Sequence, residues 1–355
     1  MLNILYIMII NNKFYIKKLT TVVIFGYSKK VENLIKITKD LNLKMIIITG
    51  EDQAKNLNKY NVNFHIFNNI NEEFKNFILK NININETLFV SRFARYIFKK
   101  DTIENFFKNN LINFHDSRLP IDAGGGGYSW RIMKEDRISN QVAHIIDEGI
   151  DTGPMIDYST SLFPKNCQIP IDLEDFAEEG FLKLFKRILV KIKNGDSFNL
   201  IYQSRFHGSY NPRLDTEING LIDWNLDSYD LGNFINAFDE PYKGASTYLN
   251  NGNSEKLYLK KTQLHGGDSS NHPYMAGLVI RHDIDWIVVS TKSKHTLLIE
   301  EILDINGKNQ LHKIKIGDRF ITPFNELYNS KFKRVRFNST GKIKGSKNEK
   351  NWSYF

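Results

Sequence analysis

Cysteine and long apolar runs are scarce in this chain, and each scarcity excludes a class of protein. The 355 residues contain one cysteine, Cys167, and eight prolines. A single cysteine excludes an intrachain disulfide and fits a reducing compartment, so we expect a cytoplasmic location. No apolar run reaches the length of about 20 residues that spans a bilayer, so we expect no membrane partner. The short apolar segment from Met1 to Ile10 lacks a basic start, and we interpret it as part of an N-terminal extension.

Excess positive charge is also absent from most of the chain. The net charge is +8, but residues 331–355 hold eight Lys and Arg against one Glu, a net +7, which leaves +1 for residues 1–330. The basic balance therefore belongs to a C-terminal tail, which we interpret as a solvated end, with contact to RNA or to a membrane surface as the alternative.

Two glycine-containing stretches lack the known nucleotide-binding patterns. Gly26-Tyr27-Ser28 follows an apolar run without the Gly-x-Gly-x-x-Gly spacing, so no NAD site is predicted. The run Gly124 to Gly127 is not followed by Lys-Ser or Lys-Thr, which argues against a phosphate loop. We expect a flexible or closely approached backbone there, before a helix from Ser129.

The remaining pattern predicts a two-domain α/β protein. Short apolar strands alternate with helices from Thr20 to Val90, which favours a Rossmann-like, mostly parallel sheet, with an amphipathic helix over 171–193. Later strands separated by Gly and Asp suit a smaller antiparallel barrel. We predict an extension over 1–19, a first domain over 20–204, an OB-like second domain over 205–330 and a basic tail over 331–355.

The residues with chemical potential lie between Leu111 and Met155. Asn113 and His115 stand at i and i+2 near the end of an apolar run, which puts both side chains on one face of a strand. Asp151 follows a second apolar strand, Val142 to Ile146. An imidazole can move a proton, a carboxylate can fix its tautomer, and an amide N–H can bind an oxyanion. With no cysteine or serine elbow nearby, this set suits direct acyl transfer to an amine.

Two other interpretations of the same residues stay open at this point. A histidine after a strand is often only a satisfied polar residue, and segments rich in Asp and Gly are often plain turns. A metal site would use His115, Asp116, His144 and Asp151, but this spacing matches no standard zinc or iron signature, so we predict no metal.

The motif resembles that of the 10-formyltetrahydrofolate-dependent formyltransferases. It comprises Asn113-Phe114-His115-x-Ser117-x-Leu119-Pro120 and Asp151-Thr152-Gly153-Pro154, with Tyr210-Asn211-Pro212-Arg213 and Ile222-Asp223-Trp224 further on. The chain departs from the family at Arg118, where the family usually has Leu. It departs again at Ile121 to Gly124, where the family often has a basic residue and Arg-Gly. The resemblance implies the formyltransferase fold and makes Asn113, His115 and Asp151 the catalytic residues.

The resemblance also implies a formyl donor and a class of acceptor. The donor is 10-formyltetrahydrofolate, and the residues implied to hold it are Arg95, Tyr96, Ile97, Ile146 and Gly149. From Ser91 onward the chain is aromatic and basic, which by itself predicts the start of a helix. The acceptor expected first is a nucleotide-linked amino sugar, because the body is nearly neutral and a basic loop is missing. Methionyl-tRNA is the second candidate, hydrolysis of formyltetrahydrofolate the third, and a binding module with a decayed site the fourth.

Overall fold

The computed structural model describes residues 12–55, 57–249, 255–266, 271–338 and 341–343. Over this part of the chain, no helix is both long enough and apolar enough to cross a membrane.

The first domain is built on a seven-stranded sheet with the order β3-β2-β1-β4-β5-β6-β7. Its strands are β1 (Thr21–Gly26), β2 (Lys44–Thr49), β3 (Phe64–Ile66), β4 (Thr87–Arg92), β5 (Leu111–His115), β6 (Ile138–Ile145) and β7 (Met155–Leu162). The strands β1 to β5 run parallel, whereas β6 and β7 are antiparallel to their neighbours. Every residue of β1 and β4 is buried, as in a parallel sheet covered on both faces. The predicted Rossmann-like sheet is confirmed.

Helices cover this sheet on both faces. They are α1 (Val31–Asp40), α2 (Glu51–Ala54), α3 (Glu72–Asn81), α4 (Gly127–Met133) and α5 (Pro170–Lys193). The long helix α5 begins where the sequence favours a start: Pro170 occupies the first turn, and the Asp172 carboxylate accepts from the backbone N–H groups of Gln168 and Ile169. Its apolar stripe packs against one face of the sheet in a large core.

The helix start predicted at Ser91 is wrong. Ser91 and Arg92 complete β4, and an irregular segment follows until a π-helical turn over Thr102–Phe106. Tyr96 and Phe98 are buried there in an aromatic cluster around Phe25, on the other face of the sheet. The aromatic residues therefore serve long-range packing, and their local spacing does not define a helix.

The second domain is a curled antiparallel sheet with the order β10-β11-β12-β9-β8-β13. Its strands are β8 (Ala245–Leu249), β9 (Leu257–His265), β10 (Val279–His282), β11 (Ile287–Ser290), β12 (Thr296–Leu303) and β13 (Phe320–Ile321), with helices α6 (Thr216–Asn219), α7 (Ser228–Asn236) and α8 (Phe324–Ser330). The sheet curls until its two ends meet, since the Phe320 N–H donates to the Gly277 carbonyl at 2.8 Å. Its own core includes Trp224 stacked on Phe320. The predicted barrel-like second domain is confirmed.

Short strand pairs occur near both ends of the described chain. Lys13–Phe14 pairs with Phe198–Asn199, and Phe14 is buried, so the described part of the predicted extension packs against the first domain. Arg336–Asn338 pairs with Gly341–Ile343 in the predicted tail. Residues 1–11 and 344–355, which include the apolar start and the last twelve residues of the basic tail, lie outside the described residues.

Candidate active site

Three polar side chains share one face of the sheet at β5 and β6. Asn113 and His115 alternate with buried Phe114, as the i and i+2 spacing predicted. The backbone register pairs Asn113 with His144 of the antiparallel strand β6, and the Asn113 Nδ2 lies 3.2 Å from the His144 Nε2. The strand pairing therefore adds a second imidazole to the predicted pair.

Asp151 reaches these side chains from the loop between β6 and β7. Its Oδ2 lies 3.6 Å from the His115 Nε2, and its Oδ1 lies 3.4 Å from the Asn113 Nδ2. The structure thus brings together the three residues that the motif singled out. The sequence predicted that two strand ends converge at these residues. In the structure β6 is antiparallel to β5 and ends beside the start of β5, so Asp151 does not come from a neighbouring strand end. The loop has to fold back along β5 to present Asp151.

The backbone of this loop is held in an unusual conformation. Asp151 has φ +55°, in the left-handed region that non-glycine residues rarely adopt. The Gln203 side chain donates to the carbonyls of Asp151 (2.9 Å) and Gly153 (2.6 Å). Strained backbone of this kind persists where the surroundings fix it and is frequent at functional sites. Gln203 is one of the residues that sequence reasoning missed.

His144 is a buried partner of the site that the motif did not include. Its Nδ1 lies 2.9 Å from the Ile145 carbonyl oxygen, which can only accept, so Nδ1 carries a hydrogen. In the neutral ring, Nε2 is then the acceptor for the Asn113 N–H. From the sequence, His144 was considered only as a ligand of a metal site. The usable signal was a histidine inside the apolar run from Val142 to Ile146, where a polar group requires a partner.

The surroundings keep Asp151 ionised. Burial by itself raises the pKa of this carboxyl, but the neighbouring His115 ring and the Gly124 N–H hold the pKa below its ordinary value of 3.8. The Gly124 N–H donates to Oδ2 at 2.9 Å. An ionised carboxylate 3.6 Å from an imidazole is suited to orienting that ring and to stabilising its protonated form.

This lowered pKa predicts a stability effect in acid. Because the pKa of Asp151 is lower in the folded than in the unfolded protein, the carboxylate stabilises the fold above pH 3.8, and that contribution is lost as the pH falls further. We expect the stability difference between the wild type and Asp151→Asn to shrink between about pH 5 and pH 2. Urea unfolding followed by circular dichroism at several pH values measures it. A difference that stays constant across this range would contradict the assignment.

A buried charge network lies directly behind the site. Arg92 is 0% exposed and donates to both oxygens of Asp116, at 2.8 and 3.1 Å, and to Glu178 of α5 at 2.9 Å. Tyr128 donates to Asp116, and Ser28 donates to Glu178. Burial alone lowers the pKa of Arg92, but the two carboxylates raise it above its ordinary value, so the guanidinium is charged. Asp116 directly follows His115, so the network anchors the strand end that carries the imidazole.

The glycine run is closely approached backbone. Ala123–Gly124 pairs in parallel with Tyr210–Asn211, and Gly124 has φ +98°. A Cβ on Gly124 would stand 2.4 Å from the Asn211 carbonyl oxygen and 2.6 Å from the Tyr210 ring. Of the two predicted alternatives, the structure favours close approach, and glycine is required where the N–H meets Asp151.

Gly124→Ala is therefore expected to reduce activity. The added methyl group forces the backbone away from residue 211 and moves the N–H that holds Asp151, at a cost of about 1–3 kcal/mol for the strained φ alone. The measurement is turnover together with thermal unfolding. Gly195→Ala is the matched control, because Gly195 also has a positive φ (+81°) but nothing within 4 Å of an added Cβ. Equal turnover in the two variants would contradict a role for Gly124 in the site.

The residues implied to hold the folate occupy two neighbouring segments. Residues 95–97 follow β4, which leaves the sheet at the same edge as its parallel neighbour β5. Ile146 packs against the same aromatic cluster as Tyr96, and an ion pair of 3.2 Å between Lys100 and Glu148 links the two segments.

The five implied residues differ in their availability to a ligand. Tyr96 is only 6% exposed and donates to the Phe67 carbonyl at 2.6 Å, so its ring is committed to the core. Arg95 pairs with Asp52 at 2.7 Å. Ile97, Ile146 and Gly149 are partly exposed. The assignment of these residues to folate remains a prediction.

The carboxylates and the histidine rings of the site take part in the contacts described above. Asp116 faces Arg92, so it is turned into the buried network. Among the described residues, no group of three or more His, Cys, Asp or Glu is arranged to hold a metal ion.

Comparison with known proteins supports the resemblance that the motif carries. Residues 216–313 match the model of the formyl transferase C-terminal domain. The methionyl-tRNA formyltransferase of Clostridium perfringens is 29% identical over 201 residues, which cover 57% of this chain and 62% of that protein. The chain thus spans about three fifths of the length of this curated relative.

Solved structures show the same fold. The N-formyltransferase from Helicobacter canadensis, in complex with folinic acid and dTDP-3-aminofucose, aligns over 79% of this chain and 99% of its own, with 19% identity and a TM-score of 0.58. A sugar 3N-formyl transferase, solved with dTDP and 5-N-formyl-THF, aligns over 81% and 98%, with 20% identity and a TM-score of 0.55. The architecture is that of the formyltransferases. The resemblance recognised from the sequence motif is confirmed: the chain is similar to formyltransferases in sequence, in its C-terminal domain and in fold.

Proposed function

We propose that the protein transfers a formyl group from 10-formyltetrahydrofolate to the primary amine of an acceptor. The observation that carries this proposal is the cluster of Asn113, His115 and Asp151, with both imidazole and amide within 3.6 Å of one ionised carboxylate. Amide, imidazole and carboxylate are the groups that direct acyl transfer requires.

The proposed reaction proceeds without an enzyme-bound intermediate. The deprotonated amine attacks the formyl carbon, a C–N bond forms, and the carbonyl oxygen becomes an oxyanion. Asn113 and His115 donate hydrogen bonds to that oxyanion. The C–N bond to the folate then breaks, and His115 relays the proton lost by the amine to the departing folate nitrogen.

The other site residues support this relay through electrostatics and geometry. Asp151 orients His115 and stabilises its charged form. His144 accepts one N–H of Asn113, which fixes the amide plane beside β5. The second N–H of Asn113 lies 3.4 Å from Asp151, a long hydrogen bond that an approaching oxyanion can replace.

Folate as the donor is supported by the solved relatives. Two structures of this fold were determined with folinic acid or with 5-N-formyl-THF. In this proposal, the segment 95–97 and the loop from Ile146 to Gly149 form the slot for the pterin ring. A flat heteroaromatic ring suits a partly apolar slot with backbone donors and acceptors.

A nucleotide-linked amino sugar is the acceptor that we propose first. Two solved structures of the same fold align with this chain over nearly their whole length. They are an N-formyltransferase in complex with dTDP-3-aminofucose and a sugar 3N-formyl transferase. The near-neutral charge of residues 1–330 agrees with a small acceptor, because proteins that bind nucleic acid depend on many cationic contacts.

Methionyl-tRNA is the second candidate. A specific observation favours it: the relatives with higher sequence identity are methionyl-tRNA formyltransferases, and the C-terminal domain is matched over residues 216–313. Binding to tRNA should weaken steeply with salt, whereas binding of a nucleotide sugar should depend on salt much less.

One incubation tests the proposal and separates its alternatives. The protein is mixed with 10-formyltetrahydrofolate and either dTDP-linked amino sugars or methionyl-tRNA, and mass spectrometry measures the added formyl group. Formylation of the sugar supports the first acceptor, and formylation of the tRNA supports the second. Release of formate without an acceptor would indicate the hydrolase. Unchanged donor in all mixtures would contradict formyl transfer.

A further inference from the structure

A small cavity between the two domains has an unusual charge distribution. Its volume is about 250 Å³, and its lining contains four cations and no carboxylate. The cations are Arg213, Lys331, Lys333 and Arg334. All four are exposed, and within the part of the chain that the structure describes none forms an ion pair.

Part of the lining of this cavity is apolar and aromatic. Trp130 of α4 and Phe234 of α7 contribute to it, and the Trp130 indole N–H donates to the Pro212 carbonyl at 2.8 Å. The lining therefore combines cations with aromatic rings, and a hydrogen bond fixes the position of one ring. A recessed site of this kind favours a compact anion attached to a less polar group.

The basic segment is held in place. The Asn219 side chain donates to the carbonyls of Ser330 (3.2 Å) and Lys333 (3.3 Å), which ties the end of α8 to α6. Lys331 alone would be explained by its position at the C-terminus of α8, where a cation complements the helix dipole. That explanation does not extend to Arg213, which belongs to the segment before α6 and is far from Lys331 in the sequence.

The cavity adjoins the candidate active site. The Cβ of Arg213 lies 2.8 Å from the position of a Cβ on Gly125, next to Gly124, whose N–H binds Asp151. Tyr210 makes the same connection. Burial and the Asp151 carboxylate raise the pKa of its phenol, and the Arg334 guanidinium lowers that pKa. Four cations of like sign repel one another unless an anion lies among them, and this anion would stand beside the proposed point of formyl transfer.

We infer that this cavity binds the diphosphate of the nucleotide-linked acceptor, with Arg213, Lys331, Lys333 and Arg334 as its ligands. The inference rests on the proposed function and adds the recognition of the acceptor to it. The volume of about 250 Å³ suits a diphosphate group better than a whole nucleotide. A recessed cavity also suits a diphosphate better than an RNA backbone, which is contacted along an open surface.

Binding of dTDP without folate tests this site separately from catalysis. Calorimetry measures the Kd of dTDP, of thymidine and of a tRNA acceptor-stem RNA for the full chain and for the double variant Lys333→Gln/Arg334→Gln. We expect dTDP to bind and thymidine to bind at least about 10-fold more weakly, since thymidine lacks the diphosphate and its charged hydrogen bonds. The double variant should bind dTDP at least about 10-fold more weakly than the wild type.

The double variant Arg281→Gln/Lys294→Gln is the matched control, because it removes the same charge from exposed positions of the second domain that do not line the cavity. It should bind dTDP as the wild type does. Equal loss in both double variants would show a general charge effect and overturn the site, as would RNA binding without dTDP binding. The mass-spectrometric assay reports independently, so a failed site with intact formyl transfer is distinguishable from a failed function.

Discussion

His115→Ala is expected to lower the rate of formyl transfer by about 10²–10⁴-fold, the usual effect of removing a group that moves a proton in the transition state. His115 is partly exposed, and its ring contacts Asp151 at 3.6 Å, so the variant should fold normally. The loss should appear in kcat more than in KM, because the proton relay acts on the reacting atoms rather than on acceptor binding. Steady-state assays of formylated product measure both constants.

Two further variants test the interpretation of this loss. Asp151→Asn keeps the shape of the side chain but removes its charge, and it should lower kcat strongly because the protonated imidazole loses its counter-ion. His312→Ala changes a histidine at an exposed turn of the second domain and should leave kcat unchanged. Wild-type activity in His115→Ala would refute the assignment of the catalytic group.

Arg92→Met should have the largest effect on stability, about 3–5 kcal/mol, because it leaves the buried carboxylates of Asp116 and Glu178 without their cation. Both carboxylates are nearly inaccessible to water, with 6% and 1% of their side chains exposed. The guanidinium also stacks 4.0 Å above the Phe181 ring, and methionine replaces only part of that contact. Urea unfolding at pH 7 measures the change in the free energy of unfolding.

Arg187→Met is the matched control for this prediction. Arg187 also forms a two-pronged pair with a carboxylate, that of Asp157 at 2.9 Å, but 43% of its side chain is exposed. Exposed pairs of this kind contribute no more than about 1 kcal/mol. A similar loss of stability in both variants would contradict the buried-charge explanation.

The regular elements of this protein were largely predictable, since their patterns are local. The parallel strands at Thr21–Gly26 and Lys44–Thr49 are continuous apolar runs, and α5 shows apolar residues at helical spacing with proline in its first turn. The segment after Ser91 was wrongly predicted because its aromatic residues pack against Phe25, which lies far away in the sequence.

The sequence by itself determined the motif that we propose to be catalytic and the face of the strand on which it lies. Asn113 and His115 point the same way because side chains in a strand alternate, and this follows from spacing alone. The resemblance to formyltransferases could also be inferred from the motif, since its residues are close together in the chain.

Only the tertiary structure decided which residues surround that motif. His144, Arg92, Gln203 and the basic residues 331–334 are separated from His115 by between 23 and about 220 positions, and no local pattern connects them. Their proximity arises from sheet register, from a loop that folds back along β5 and from the packing of one domain against the other. Contacts of this kind depend on the path of the whole chain, so they appear only once both sheets are assembled.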